Sequence, residues 1–189
     1  MTKAVENAAL EGKFLAAQTQ NIGVCCLSRQ ALDLLMWAHY TQNHTGFVVE
    51  FSIPRKGRIN EQQWVEKAPL WLLPFVVQYS AEKPMLDLND ETLTNMNKAY
   101  LTKSKEWEYE CEERVLDYRR GHGIHRYERE TILKSVVAGM RMSEENFETL
   151  GNEISNLNEE LGTNVTLHRA TVVPHKYALE VCDRPDIVA

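Results

Sequence analysis

The stretch Trp107-Glu108-Tyr109-Glu110-Cys111-Glu112-Glu113-Arg114, running on into Val115-Leu116-Asp117-Tyr118, constrains this chain more than any other. Successive side chains of a strand point to opposite faces. Glu108, Glu110, Glu112 and Arg114 then share one face, and Trp107, Tyr109, Cys111 and Val115 share the other. On a helix, Glu108 and Glu112 would repel at i,i+4 while Glu110 and Arg114 attract. The alternation and the Val115-Leu116 continuation favour the strand, with a bulge near 113–115 where Leu116 and Tyr118 break the parity. Like charges alternating on one face cost stability unless solvated or paired. The row is therefore either a solvated edge strand with an Arg–Glu pair, or the wall of a cleft where crowded carboxylates take environment-set pKa values.

The flanking pattern mixes helices and strands. Residues 2–20 carry an apolar stripe of Val5, Ala9, Leu10, Phe14 and Ala17 and predict a helix. Residues 22–27 predict a buried strand. Ser28 or Asp33 caps a short helix through Leu34-Leu35-Met36-Trp37-Ala38-His39-Tyr40, apolar almost all round, which predicts burial of Met36 and Trp37. Strands follow at 47–53 and 75–79, with a helical turn near 61–66 between them and a helix from about Asn89 to Ser104 after them. Beyond the opening stretch, 131–138 is a strand. Ser143 caps a helix whose stripe is Phe147, Leu150, Ile154, Leu157 and Leu161, stopped by Gly162, and strands at 165–173 and 177–181 end the pattern. No linker or repeat divides residues 1–189. The expectation is a single α+β domain with a mixed or largely antiparallel sheet flanked by helices.

Composition narrows the function classes. A net charge of −6 argues against binding nucleic acid or anionic membrane over the whole surface. The most apolar run, 68–77, is too short to span a membrane and holds Pro69 and Pro74. No secretion signal is apparent at the N-terminus. Cys25, Cys26, Cys111 and Cys182 lack zinc-type spacing and read as buried thiols of a reduced, cytoplasmic protein. No metal is expected, since His39 and His44 at i,i+5 do not align on a helix and no cysteine pair assists them.

Two further clusters stand out. In Trp37 to Gly46, His39 and Tyr40 are either satisfied core groups or pocket groups that hold a ligand hydroxyl or phosphate. Arg119, Arg120, His122, His125, Arg126 and Arg129 are either solvated loop charges or an anion-binding patch. Gly121-His122-Gly123 has neither a P-loop lysine nor dinucleotide-fold glycine spacing, and no hydrolase, metalloprotease or kinase signature is present.

Cys26-Leu27-Ser28, Leu35-Met36-Trp37-Ala38-His39-Tyr40, His44-Thr45-Gly46-Phe47, Val77-Gln78-Tyr79, Lys103, Trp107 to Arg114 and Val137-Ala138-Gly139 occur in one order. Over roughly residues 20–175 that series resembles the bacterial domain-of-unknown-function family 2971. Its members carry a preceding segment with an aromatic-basic strand and an Asn-Asp-Pro-Phe-like motif, neither of which is recognisable before Ile22, so a short form or a fragment is expected. The family layout is loosely similar to that of ADP-ribosyltransferases, in which an early strand grips NAD and a late strand supplies a catalytic glutamate. The first strand is not recognisable here, and Glu112 is the position resembling the glutamate. The similarity implies Glu112 as catalytic. The charged same-face row adds Glu110 as a second catalytic carboxylate and Arg114 as ligand-binding, and the polar groups of an otherwise apolar helix add His39 and Tyr40 as ligand-binding, all converging on one cleft. NAD is then a substrate, no cofactor is required, and a nucleic acid or protein is the acceptor. An oriented carboxylate would stabilise the oxocarbenium-like state of nicotinamide loss. The competing class is a non-catalytic binding or interaction module. A weaker variant of it uses Trp71-Leu72-Leu73-Pro74-Phe75 as an apolar contact.

Overall fold

The computed structural model describes residues 22–53, 67–86 and 98–187. The expected helix at 2–20, the turn near 61–66 and most of the expected helix from Asn89 lie outside the described residues.

The described chain is α+β. In order it forms β1 (Gly23–Ser28), α1 (Leu34–Tyr40), β2 (Phe47–Phe51), β3 (Phe75–Val76), β4 (Gln78–Ser80) and β5 (Thr102–Ser104). A 3-10 helix (Lys105–Glu110), β6 (Glu112–Asp117), α2 (Arg129–Ile132), β7 (Leu133–Ala138), α3 (Glu144–Leu161), β8 (Thr166–Arg169), β9 (Thr171–Val172) and β10 (Leu179–Glu180) follow. The expected mixed and antiparallel pairing is present, divided over several ladders. β7 lies between antiparallel β2 and parallel β8. β6 lies between antiparallel β1 and β3. β4 pairs with β5 in parallel, and β9 with β10 antiparallel.

β7 organises the core because its two faces alternate. Val136 meets Ile154 and Val165, with Leu150 and Leu157 of α3 packed around them. Val137 faces the other way, into a cluster of Trp37, Leu32, Ala170, Leu179 and Val181. The helix α3 begins and ends where its sequence signals lie. The Ser143 hydroxyl accepts from the Asn146 N–H, and Gly162 closes the C-terminus at φ 62°, a left-handed conformation that suits glycine. Asp33 caps α1 by accepting from the Met36 N–H at 2.9 Å, so Asp33, not Ser28, is the cap.

Several expectations are corrected. Helix α1 is not buried all round: Trp37 is 1% exposed, but Met36 is half-buried and Leu35, His39 and Tyr40 are exposed. A seven-residue helix against a sheet can hide one face, and Trp37 takes it. The segment 107–118 is not one strand. Its first part is a 3-10 helix, and Cys111, at φ 43° and ψ 48°, turns the chain into β6. No bulge occurs at 113–115, since the β1–β6 register is unbroken from Gly23↔Asp117 to Ser28↔Glu112. Residues 102–104, expected at the end of a helix, form β5, because β4 offers them a parallel edge. The strand expected at 75–79 is split at Val77, whose N–H crosses to the Glu112 carbonyl. Residues 131–132 belong to α2, not to a strand. The thiols expected to be buried are exposed at Cys25, Cys26 and Cys182 and half-buried at Cys111, all four unpaired. In the proposed apolar contact, Leu73 is 2% exposed and belongs to the interior; Phe75 is exposed.

Candidate functional site

The 3-10 helix and β6 meet at Cys111, and that junction brings two carboxylates to one place. Its left-handed backbone is held from both sides. The Ser28 hydroxyl donates to the Glu110 carbonyl at 2.6 Å, and the Tyr79 hydroxyl accepts from the Glu112 N–H at 2.7 Å. Glu110 is thereby delivered by the 3-10 helix while Glu112 and Arg114 share one face of β6. The carboxylates are 3% and 4% exposed. Buried carboxylates at that level need donors.

The donors are present. Tyr40, from the end of α1, gives its hydroxyl to Glu110 Oε1 at 2.8 Å. Lys103 on β5 bonds Glu110 Oε2 and reaches Glu112 Oε2 at 3.0 Å. Arg114 clamps Glu112 through Nε to Oε1 at 2.7 Å and through Nη2 to Oε2 at 3.0 Å, and its Nη1 holds the Tyr100 carbonyl. A planar fork on a carboxylate gives direction as well as energy. Lys103 also lies over the Trp107 ring, 5.1 Å from its centroid.

Two carboxylates and two cations balance formally. Burial pushes the Glu112 carboxyl up, but hydrogen bonds from Arg114, Cys26 and Lys103 and the charge of Arg114 outweigh it and hold it at about 2. Glu112 is ionised throughout the physiological range. Desolvation lowers Lys103, and its bonds to Glu110 and Glu112 more than reverse that, so its pKa is raised. The Tyr40 phenol is raised by its bond to Glu110. Tyr40 itself is 61% exposed, so the best-shielded carboxylate of the pair is bonded to the most exposed of its partners.

Four of the five expected site residues, Glu110, Glu112, Arg114 and Tyr40, therefore converge, although Tyr40 and Glu110 are 70 residues apart. The same-face row is confirmed for Glu112 and Arg114 and corrected for Glu110, which arrives by a different element. His39 is exposed; its contact with the group runs through the Tyr40 ring, edge-on at 6.3 Å between centroids. Sequence patterning assigns no site role to Lys103 or Tyr79 and reads Ser28 only as a helix cap. All three sit in the ordered segments that carry the family resemblance, which is the signal that points to them.

Two groups of the basic segment have partners within or beside the loop. Arg120 binds Asp117 and the Arg126 carbonyl, and His125 binds the Gly121 carbonyl, so these groups tie the loop to itself. Among the described residues no group of three or more His, Cys, Asp or Glu is placed to hold a metal ion.

Residues 36–115 match the family model described as "Protein of unknown function (DUF2971)". Over that span the chain is similar to this family. The matched span starts within α1 and ends within β6, so it takes in every residue of the carboxylate cluster except Ser28 and Cys26. No curated protein and no solved structure matches the chain. Among the described residues no helix is long and apolar enough to cross a membrane.

Proposed function

We propose that the DUF2971-like region binds a nucleotide through its sugar hydroxyls at the Glu110–Glu112 cluster, with NAD as the ligand and ADP-ribosyl transfer as the reaction it serves. The observation that carries this reading is a buried Glu112, its carboxyl held at about 2, beside a second buried carboxylate whose Oε1 bonds an exposed phenol. A ligand hydroxyl can take the place of the Tyr40 hydroxyl on Glu110, with the Trp107 and Tyr40 rings, both exposed, as stacking surfaces. In the transfer step the bond from the ribose anomeric carbon to nicotinamide breaks, and nicotinamide leaves with the electron pair. Glu112 stabilises the oxocarbenium-like cation, and a nucleophile on a nucleic acid or protein closes on the same carbon. Such a stabiliser must be ionised, and a carboxylate at about 2 is.

A second reading, a non-catalytic module in which the cluster is a structural lock, is favoured by one specific observation. Both Glu112 oxygens already have cationic partners, which compensate the charge that the transfer step would use. Titration calorimetry with NAD, followed by incubation with labelled NAD and nucleic-acid or protein acceptors, separates the two. Label transfer by the parent chain and its loss in Glu112→Gln supports the transferase. Binding without transfer supports the module. No NAD binding by the parent removes the nucleotide reading.

The chain is read as one α+β domain of a cytoplasmic protein. Three exposed, unpaired thiols support that compartment, since a reducing environment keeps them as thiols.

A further inference from the structure

A second constellation lies outside the carboxylate cluster, on β8 and the turn that follows β10. Thr166 and His168 stand at i,i+2 on one face of β8, and Asp183 reaches them from the turn. The Thr166 hydroxyl is 2.8 Å from His168 Nε2, and His168 Nδ1 is 2.6 Å from Asp183 Oδ2. His168 is 8% exposed, whereas Thr166 is exposed at the sheet margin, with β8 an outer strand of its ladder.

From this order of atoms we propose that Thr166 is an activated nucleophile toward activated acyl groups, with His168 as its general base and Asp183 positioning the imidazole.

The chemistry follows from the hydrogen-bond directions. The Asp183 carboxylate, held below the usual carboxylate range by its bond to His168, accepts on the Nδ1 side of the ring. In the neutral imidazole that donates from Nδ1, Nε2 is the nitrogen left to accept from the Thr166 hydroxyl. That arrangement, a hydroxyl on one imidazole nitrogen and a carboxylate on the other, is what a general base needs in order to take a proton from an alcohol. Attack by Thr166 Oγ1 on an activated ester forms a carbon–oxygen bond, and His168 Nε2 takes the hydroxyl proton. Collapse breaks the bond to the leaving alkoxide, which receives the proton from His168. The product is O-acyl-threonine and a free alcohol, with no oxidant or metal required. Burial of His168 holds the imidazole between its two partners, and exposure of Thr166 admits the acyl donor.

The probe is 4-nitrophenyl acetate with the intact chain, read by peptide mass spectrometry at Thr166 and by release of nitrophenol. Position 166 is expected to be acetylated in the parent chain and in Thr166→Ser, and Thr166→Val to lose that label. Removal of a general base slows such a step on the order of 100-fold, so His168→Ala should label that much more slowly, and added imidazole should restore labelling in it but not in Thr166→Val. A merely structural histidine would show no imidazole rescue. Acetylation confined to lysines, or equal labelling of Thr166 in the parent and in a folded Asp183→Asn, would overturn the proposal. Thermal melts of each variant identify any that have lost the fold. Thr166→Val, changed at an exposed position, keeps the test decisive if His168→Ala does not fold.

Discussion

The two three-stranded sheets each run a six-residue strand through the middle, β7 in one and β6 in the other, and bury it by opposite means. β7 carries Ser135, Val136, Val137 and Ala138, all buried, between an apolar helix face and the Trp37 cluster. β6 carries Glu112, Arg114 and Asp117, buried or half-buried by partners of opposite charge and by backbone donors. The first solution draws on transfer of apolar surface from water, which is non-directional and tolerant. The second draws on matched donors and acceptors, where each group is cheap to keep and expensive to orphan. The difference separates what holds the fold from what a ligand can engage.

The largest expected effect tests the apolar side. Trp37→Ala removes the largest side chain of the core, which also donates from Nε1 to the Ala31 carbonyl at 2.8 Å and stacks on His44. A loss of about 3–5 kcal/mol in urea unfolding is expected. An unchanged midpoint would mean that the Trp37 cluster is not the anchor of that sheet.

Arg114→Met should come next, at roughly 3 kcal/mol, because it leaves Glu112 buried without its fork. The comparison is sharpened by the double variant Arg114→Met/Glu112→Gln, expected to be more stable than Arg114→Met alone. If the two substitutions simply add, β6 is not held by mutual neutralisation.

The pH dependence should be smaller and confined to acid. Glu112 has a folded pKa of about 2 against an ordinary value of 4.5. With a depressed pKa its contribution is fully present above the unfolded value and is lost as pH falls from there toward about 2. Unfolding midpoints measured down that range should decline more steeply for the parent than for Glu112→Gln. Parallel curves would assign the acid sensitivity to other carboxylates.

Tyr40→Phe should have the smallest effect on stability, about 1 kcal/mol or less, since its hydroxyl sits on an exposed side chain. Under the nucleotide reading, the same change should alter NAD affinity without moving the unfolding midpoint. A large stability loss would instead make Tyr40 part of the lock.

The apolar sheet was more readable in the sequence than the charged one. Helix α3 announces itself through Ser143, a 3.6-residue stripe and Gly162, all local signals, and Trp37 is marked by the apolar turn around it. Glu110 and Lys103 were placed on the wrong elements for physical reasons that no local pattern carries. The left-handed conformation at Cys111 is imposed by the hydroxyls of Ser28 and Tyr79, 82 and 33 residues away from the groups they hold. Lys103 belongs to a strand because β4 offers it a partner, not because Thr102-Lys103-Ser104 alternates. Tyr40 is legible as a polar group in an apolar helix and Arg114 as the lone cation in a row of carboxylates, and both are signals of chemistry that do not depend on the elements around them.

The ladders that close these sheets also set the order in which the chain can acquire them. Ser28 meets the Glu110 carbonyl across 82 residues, and Glu50 meets Ser135 across 85. By contrast, β7, α3 and β8 are consecutive and assemble from neighbours. Contacts between distant residues require long loops to close first, and they slow folding. The C-terminal β7–α3–β8 unit is therefore expected to form first, and φ-value measurements should give high values in α3 and values near zero in β1. Since β1 and β2 precede β6 and β7 in the chain, their ladders can close only after the later strands have been made.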